Sequence, residues 1–470
     1  MKKELRLRDL VQMQFLLVVG VTWVGLAAHQ GGVHLWFWMA AIATFFLPSA
    51  AVVGYCAKIW PEEGGVYQWT RHVFGPFAGF ISAWNFGVWA LLAVSVVGIQ
   101  TATSLAYGLG PKAAWMAGNH GLITGLNFGL FGLIFVICVP GFGIGKWVSH
   151  FGTAMLILVT LVLVVLLVVH PHSSAAHPHV SPQAPFSFGI GMGTGMLSLI
   201  SLNLFSKMAF NGLTGLEQIA VFAGETKDPA RAILRSAWIA APMIAAIFIL
   251  STGAILTYVP AAQVDLTGPV PQVLAAAFAG GDGGSVNWGL MLGRAAILGL
   301  ALSVIAQYSL VVAETSRLPM VAGWDGLVPA WFTKLSPRFG TPVRSIAVIV
   351  ALAIGAGLLA SSGSGAQEAY QTLVASGNIC YAIYYGMMLL IPLVVGARFG
   401  ARAGWRLKLA CVSALAVTVL ATVMNVFPVV DVGSPWGFGF KVLGVGALVN
   451  AAGAGMYWWG SRTGTKASAP

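Results

Sequence analysis

The sequence predicts an all-α integral membrane protein of about twelve transmembrane helices. Composition, hydropathy and the length of the apolar runs predict it. Hydrophobic residues make up 58% of the 470 positions and charged residues only 8%, against about 25% charged in a soluble domain. Mean hydropathy is +0.86, which excludes an ordinary cytosolic enzyme. Apolar runs recur at lengths near the ~20 residues that cross a ~30 Å hydrocarbon core. Lipid offers backbone amides no partner, so these runs are expected as helices. The alternating ~10-residue segments of a barrel are absent.

In order, the apolar segments fall at roughly 10–29, 34–56, 75–105, 122–139, 147–169, 196–222, 236–258, 289–313, 343–361, 368–395, 409–428 and 439–460. The first follows the basic stretch Lys2, Lys3, Arg6 and Arg8, which has the look of a signal peptide. Its apolar run is too long and lacks a small-residue cleavage site, so it is expected to stay as helix 1. Further basic residues follow every second segment: Lys58 and Arg71, Lys146, then Lys227, Arg231 and Arg235. Arg317, Lys334, Arg338 and Arg344 come next, then Arg398, Arg402, Arg406 and Lys408, and finally Arg462 and Lys466. That places 20 of 24 basic residues on one side. By the positive-inside rule the protein is multi-pass in the cell membrane with both termini cytoplasmic. The net charge of +11 is therefore an orientation signal, with contact to anionic lipid secondary, and not a nucleic-acid signature.

Cys56, Cys138, Cys380 and Cys411 all fall in or beside apolar segments and are expected as small packing residues, not disulfides. The longest outward stretches are 170–187 and 259–288. The first holds His170, His172, His177 and His179, but no acidic partner or spacing defines a metal site. No metal and no cofactor is expected. Neither a P-loop nor a nucleotide fingerprint is present. The glycine-rich GFGIG at 141–145 lacks the preceding strand that a phosphate-binding turn needs. The chain is expected not to be an enzyme. Lacking an ATPase module, it is expected to draw energy from an ion or substrate gradient.

Twelve helices permit a repeat of five plus five with two added, and inverted repeats are common in secondary transporters. On that scheme residues 1–170 form the first repeat (helices 1–5) and 171–187 an extracellular loop. Residues 188–396 form the second repeat (helices 6–10), and 397–470 hold helices 11 and 12 with a cytoplasmic tail. Segments 1 and 6 are then equivalent, and both are interrupted, by Gly20-Val21-Thr22-Trp23-Val24-Gly25 and by Asn211-Gly212-Leu213-Thr214-Gly215. Paired interruptions in corresponding positions point to a midplane binding site. Small residues also permit close helix packing. In segment 6, Asn and Thr can rebond backbone groups freed by unwinding.

An ionisable group at bilayer depth costs at least ~2.5 kcal/mol and marks function by default. Glu217, just past the second interruption, is suited to bind an amine, to take a proton, or to act as a hydrogen-bonded strut. Lys207, four residues before Asn211, either gates the site or snorkels outward. Arg294 and Lys441 lie near outer helix ends, where snorkelling accounts for them. Gln307 and Tyr308 face the pathway or the core, and Trp84 and Trp89 are candidate site walls. Glu217 is the one carboxylate found deep in an apolar segment. This favours zwitterions over polyamines, which want several carboxylates.

Three stretches resemble the amino acid–polyamine–organocation (APC) superfamily of permeases. The first is Pro61-Glu62-Glu63-Gly64-Gly65-Val66-Tyr67-Gln68-Trp69 with Phe74-Gly75-Pro76-Phe77-Ala78-Gly79-Phe80, similar to that family's loop between helices 2 and 3. The second is Phe210 to Glu217 with Ala223 to Arg231, similar to its broken helix 6. The third is Ser316-Arg317-Leu318-Pro319 with Asp325-Gly326-Leu327-Val328-Pro329 and Gly340-Thr341-Pro342-Val343. The resemblance implies a leucine-transporter-type 5+5 inverted repeat plus two C-terminal helices, working by alternating access. It implies that the substrate carboxylate meets Gly20, Val21, Thr22 and Trp23. The amine then meets Asn211, Gly212, Leu213, Thr214 and Gly215, with Glu217 in or beneath the site and tied to pH or transport. The family's helix 1 motif is usually Gly-Ser-Gly-Ile. Here Gly20-Val21-Thr22-Trp23 loses the second glycine and a bulky Trp follows, so either the carboxylate binds differently, with the Thr22 hydroxyl as a candidate ligand, or the substrate is smaller or lacks an α-carboxylate. Helix 5, Trp147 to Val169, lacks the lysine that takes a proton in some members, leaving exchange or coupling through Glu217. Glu62, Glu63, Arg71, Arg317 and Asp325 are either cytoplasmic gate residues that pair when that side closes or solvated loop charges, with Lys207 as a candidate coupling or gate residue on the outer half.

The expected function is secondary transport of amino acids or related amines, by exchange or proton coupling. A polyamine transporter and a transporter-like amino acid sensor are the alternatives. The expected partners are the small-molecule substrate, membrane lipid and a proton, with no nucleic acid.

Overall fold

The computed structural model describes residues 5–62, 64–169, 198–278, 288–321, 324, 327–361, 365–395, 402–429 and 432–463. Among the described residues every regular element is helical, in line with the requirement that backbone groups in lipid be bonded within their own segment. The first apolar segment is two helices, α1 (Leu7–Val18) and α2 (Val21–Ala28), bent by 50° at the break. The second is α3 (His34–Ala41) and α4 (Leu47–Ile59), joined by a π-turn at Ile42–Phe46. The short α5 (Val66–Phe74) is followed by α6 (Pro76–Val94) and α7 (Val97–Leu109). Gly75, with φ of 92°, turns the chain between α5 and α6, and Pro76 starts α6 where no amide is needed.

The next helices are α8 (His120–Cys138) and α9 (Phe142–Val169). Asn119 caps α8 by accepting from the Leu122 amide at 2.9 Å. The sixth segment is α10 (Leu199–Leu213), an extended break at Thr214, and a 3₁₀ helix over Gln218–Glu225. After it come α11 (Pro229–Tyr258), α12 (Pro269–Phe278), α13 (Trp288–Val321) and α14 (Ala330–Thr333). The chain closes with α15 (Val343–Ser361), α16 (Ala366–Val394), α17 (Trp405–Met424) and α18 (Pro435–Thr463).

Nine helices among the described residues are long and apolar enough to cross a membrane, and the broken α1–α2 pair makes a tenth candidate. The protein is a multi-pass membrane protein. One continuous apolar core runs through it, from Phe15 and Trp38 to Phe210, Ile244, Tyr381 and Tyr385. Trp38 stacks on Phe248 with centroids 4.8 Å apart and donates to the Thr252 hydroxyl at 3.1 Å. α1 lies against α11 and α9, α2 against α10 and α11, and α16 against α6 and α17. The two broken segments thus meet through α2 and α10, with α9, α11 and α13 packed around α1.

Leu5, before α1, makes an isolated bridge with the segment after the sixth span: its amide donates to the Glu225 carbonyl at 3.0 Å and its carbonyl accepts from the Lys227 amide at 3.0 Å. All four cysteines are buried and free, as expected of packing residues. Exposed Arg294 fits snorkelling, and Lys441 reaches Glu368 at 3.0 Å. The stretch with His170, His172, His177 and His179 lies outside the described residues.

Candidate functional site

The break in the first segment falls at Val19 and Gly20, both extended, with Gly20 at φ −94° and ψ 111°. It leaves the last carbonyls of α1 and the first amides of α2 without helical partners. Some are claimed locally: the Gln307 side chain donates to the Leu17 carbonyl at 3.3 Å, and the Gly20 amide to the Val18 carbonyl at 2.8 Å. In the sixth segment Asn211, Gly212 and Leu213 remain helical, so the break is shorter than the five residues expected and begins at Thr214. Gly215 has φ of +117°, a backbone that side-chain-bearing residues rarely adopt. The Gln14 side chain donates to the Leu216 carbonyl at 3.2 Å, tying α1 to this bend.

Between the two breaks lies a cavity of about 110 Å³. An engineered apolar cavity of about 150 Å³ elsewhere takes benzene, so this space suits a small organic solute. It is lined by Gly20, Thr22, Trp23, Asn211, Thr214 and Gln218 from the broken segments. Trp89, Gln100, Gln307, Tyr308, Tyr370 and Asn378 come from the surrounding helices. No charged side chain is in this lining. Three wall residues carry a buried polar atom with no hydrogen-bond partner: Asn211 Oδ1, Gln218 Oε1 and Asn378 Nδ2. Two are acceptors and one is a donor. Unsatisfied buried groups are rare in native proteins and call for a ligand or ion to explain them. Tyr308 donates to Gln100 at 2.6 Å, and Tyr370 interacts with Thr22 and Gln100, which fixes this side of the wall.

Of the residues singled out from the sequence, Gly20, Thr22, Trp23, Asn211 and Thr214 border the cavity. Val21 is the first residue of α2. Gly212 holds the two broken segments together: a Cβ there would meet Trp23 Cβ at 3.3 Å and Trp38 at 3.5 Å. Leu213 is buried at the end of α10. Glu217 is wholly buried one layer behind the wall. It accepts from the Gly215 amide at 3.2 Å and from the Tyr381 hydroxyl at 2.5 Å, and Gln218 donates to that hydroxyl at 2.8 Å. A hydrogen-bonded chain therefore joins Glu217 to the cavity. Trp89 is a wall, stacked on Tyr381 at 4.0 Å, whereas Trp84 donates to the Val449 carbonyl away from the site.

Lys207 does not snorkel. It is only 4% exposed and donates to the Phe427 carbonyl at 2.6 Å. It borders a smaller cavity of about 20 Å³, which shares Thr22, Trp23, Asn211 and Tyr370 with the main one. Exposed Glu62 meets His72 at 3.0 Å, Arg71 is exposed, and buried Arg317 pairs with buried Glu225 at 3.0 Å. Glu63 and Asp325 lie outside the described residues.

Sequence reasoning missed Gln100, Gln218, Tyr370 and Asn378, which only the fold brings together. It also missed Glu314. The eighth apolar segment was expected to end at 313, which left Glu314 beyond its edge. Helix α13 runs on to Val321, and Glu314 is wholly buried within it. The expectation of a single deep carboxylate is corrected accordingly. The run Val311-Val312-Ala313 directly before it was the signal.

The sequence profile of a family described as amino acid permease matches residues 10–448. An uncharacterized transporter of Legionella pneumophila is 26% identical over 73% of this chain and 70% of its own length. A second uncharacterized transporter, from Mycobacterium tuberculosis, is 24% identical over 67% of each chain. A branched-chain amino acid permease of Bacillus subtilis is 27% identical over 73% of this chain and 71% of its own length.

Proposed function

The chain belongs to the amino acid permease family and is a membrane transporter, not an enzyme; from that premise we propose that it moves zwitterionic amino acids across the cell membrane by alternating access. The observation that carries the substrate class is the cavity wall. It is uncharged and leaves two acceptors, Asn211 Oδ1 and Gln218 Oε1, and one donor, Asn378 Nδ2, unsatisfied. A zwitterion supplies an ammonium to the former and a carboxylate to the latter while adding no net charge to a dry site. The helix ends add to this. The first amides of α2, at Val21 and Thr22, carry the positive end of a dipole and suit the carboxylate, while the Trp23 amide is taken by the Gly20 carbonyl at 3.1 Å. The last carbonyls of α10, at Asn211, Gly212 and Leu213, and those of α1 suit the ammonium. Trp23 and Gly212 set how much room the substrate has, and Thr214 and Gly215 form the bend.

The proposed architecture is twelve spans in a 5+5 inverted repeat plus two, over residues 1–170, 188–396 and 397–470. Breaks in the first and sixth spans, matched across the halves, support it. Both termini are proposed to be cytoplasmic. The pairing of Leu5 with Glu225 and Lys227 supports a common side for the N-terminus and the basic loop after the sixth span. Arg317 with Glu225, and Glu62 with His72, are proposed as contacts of the closed cytoplasmic end. Arg71 is proposed to add to the charges there, Glu63 and Asp325 stay candidates from the sequence, and Lys207 is the residue proposed to govern outer access.

One observation favours a polyamine as the second reading: Glu314 adds a second deep carboxyl. It does not line the cavity, so the zwitterion is preferred. A thermal-shift panel of amino acids, γ-aminobutyrate and polyamines tests this, because a ligand at 100 times its Kd stabilises by about 2.7 kcal/mol. Stabilisation by a neutral amino acid is expected. Stabilisation by polyamines alone would overturn the substrate class.

A further inference from the structure

One buried group is left without a task by the cavity and its helix ends. Glu314 lies three residues beyond Val311, which lines the cavity. Its side chain is wholly buried, and neither carboxyl oxygen has a hydrogen-bond partner. The 3₁₀ helix that Glu217 precedes packs against α13, which brings the Glu217 carboxyl into the electrostatic surroundings of Glu314, with the Tyr384 hydroxyl from α16. On other elements against α13, His150 is tied to Asp9, Tyr107 to Asp265 and Cys138 to the Ser309 carbonyl. Arg317, one turn along, is engaged by Glu225 and by the Ala313 carbonyl.

Two enclosed carboxyls that sense each other do not both ionise readily. Glu217 receives hydrogen bonds from the Gly215 amide and the Tyr381 hydroxyl, which support a negative charge. Glu314 receives none. The pair thus accommodates its charge on Glu217 and its proton on Glu314. Glu314 borders none of the cavities described, and no group of three metal-ligating side chains occurs among the described residues.

The geometry points to Glu314 as a proton-binding site that couples a proton to substrate movement, working against Glu217 beneath the cavity. This rests on the transporter reading above. The link is the chain from Gln218 through Tyr381 to Glu217. A substrate that engages Gln218 draws on the donor that holds Tyr381, changes the hydrogen bonding of Glu217, and so changes the charge facing Glu314. The step is simple: one proton adds to the Glu314 carboxylate to give the acid, and its release on the other side restores the carboxylate.

Proteoliposomes test it, using the neutral amino acid that exchanges fastest in a counterflow panel. Wild-type protein is expected to concentrate the label when a proton gradient is imposed. Glu314→Gln is expected to lose at least ten-fold of that accumulation while still equilibrating label down its own gradient. Glu314→Asp, which keeps a titratable group, is expected to restore accumulation. Should Glu314→Gln fail to fold, infrared spectra of the wild type and Glu314→Asp apply. A carboxylic-acid carbonyl band that shifts between the two and responds to substrate is expected. Gradient-driven accumulation by Glu314→Gln equal to wild type would overturn the proposal. So would wild-type exchange that ignores the proton gradient, or a band that substrate leaves unmoved. Those results leave the transporter reading standing. Wild-type protein that exchanges no label removes the transporter reading, and this proposal with it.

Discussion

Asn211, Gln218 and Asn378 set the chemistry of the cavity, since each holds a polar atom that nothing among the described residues satisfies. Truncating Asn378 removes a bond to substrate without breaking a side-chain bond in the empty protein, whereas Gln218 also holds the Tyr381 hydroxyl. Asn378→Ala is therefore expected to weaken amino acid binding about ten-fold, the equivalent of about 1.4 kcal/mol, with an unchanged melting temperature in the ligand-free state. A calorimetric titration checks this, and unaltered affinity would remove Asn378 from the site. Glu217 is different, because it already accepts two bonds. Glu217→Gln replaces an acceptor with an amide that cannot receive from both Gly215 and Tyr381 in the same way. Bonds to charged groups contribute about 1.5–3 kcal/mol, so loss of stability of that order is expected. An altered pH profile of uptake between about pH 5 and 8 is expected too. A variant with the wild-type profile over that range would make Glu217 a structural strut.

Among the elements, the two breaks were the part of the site most legible in the sequence. Their glycines stood out against long apolar runs, and Gly20 and Gly215 do mark the bends. The extent of the second break was less legible. Asn211-Gly212-Leu213 stays helical because Gly212 lets α10 approach Trp23 and Trp38 closely, a packing role that spacing alone does not separate from unwinding. Glu314 was hidden by a helix boundary, and Gln100, Tyr370 and Asn378 by being ordinary polar residues on three different helices. Gly215→Ala tests the bend itself. With φ of +117° and Val18 Cγ2 at 3.2 Å from the added Cβ, it is expected to cost more than about 1 kcal/mol. The exit of the sixth span is held by the buried pair of Arg317 and Glu225. Removing one partner of such a pair costs about 3–5 kcal/mol. Glu225→Gln is thus expected to lower the melting temperature sharply, and a wild-type melting curve would show the pair to be dispensable.

At the scale of the whole molecule, composition and run length alone established a helical membrane protein. The motifs carried the family, which the match over residues 10–448 confirms. Orientation and the pairing of the two halves rest on charge bias and on the matched breaks. The substrate depends on the cavity, which no linear motif describes. The cavity between the two breaks is proposed to carry an amino acid from one side of the membrane to the other. Counterflow in proteoliposomes, comparing wild type with Gly212→Leu, tests it most directly. Leucine at 212 would drive into Trp23 and Trp38 and close the space between the broken segments. Exchange of a labelled neutral amino acid by the wild type, abolished in folded Gly212→Leu, is the predicted result. Binding of the amino acid by wild type without any exchange would contradict the account and mark the protein as a sensor.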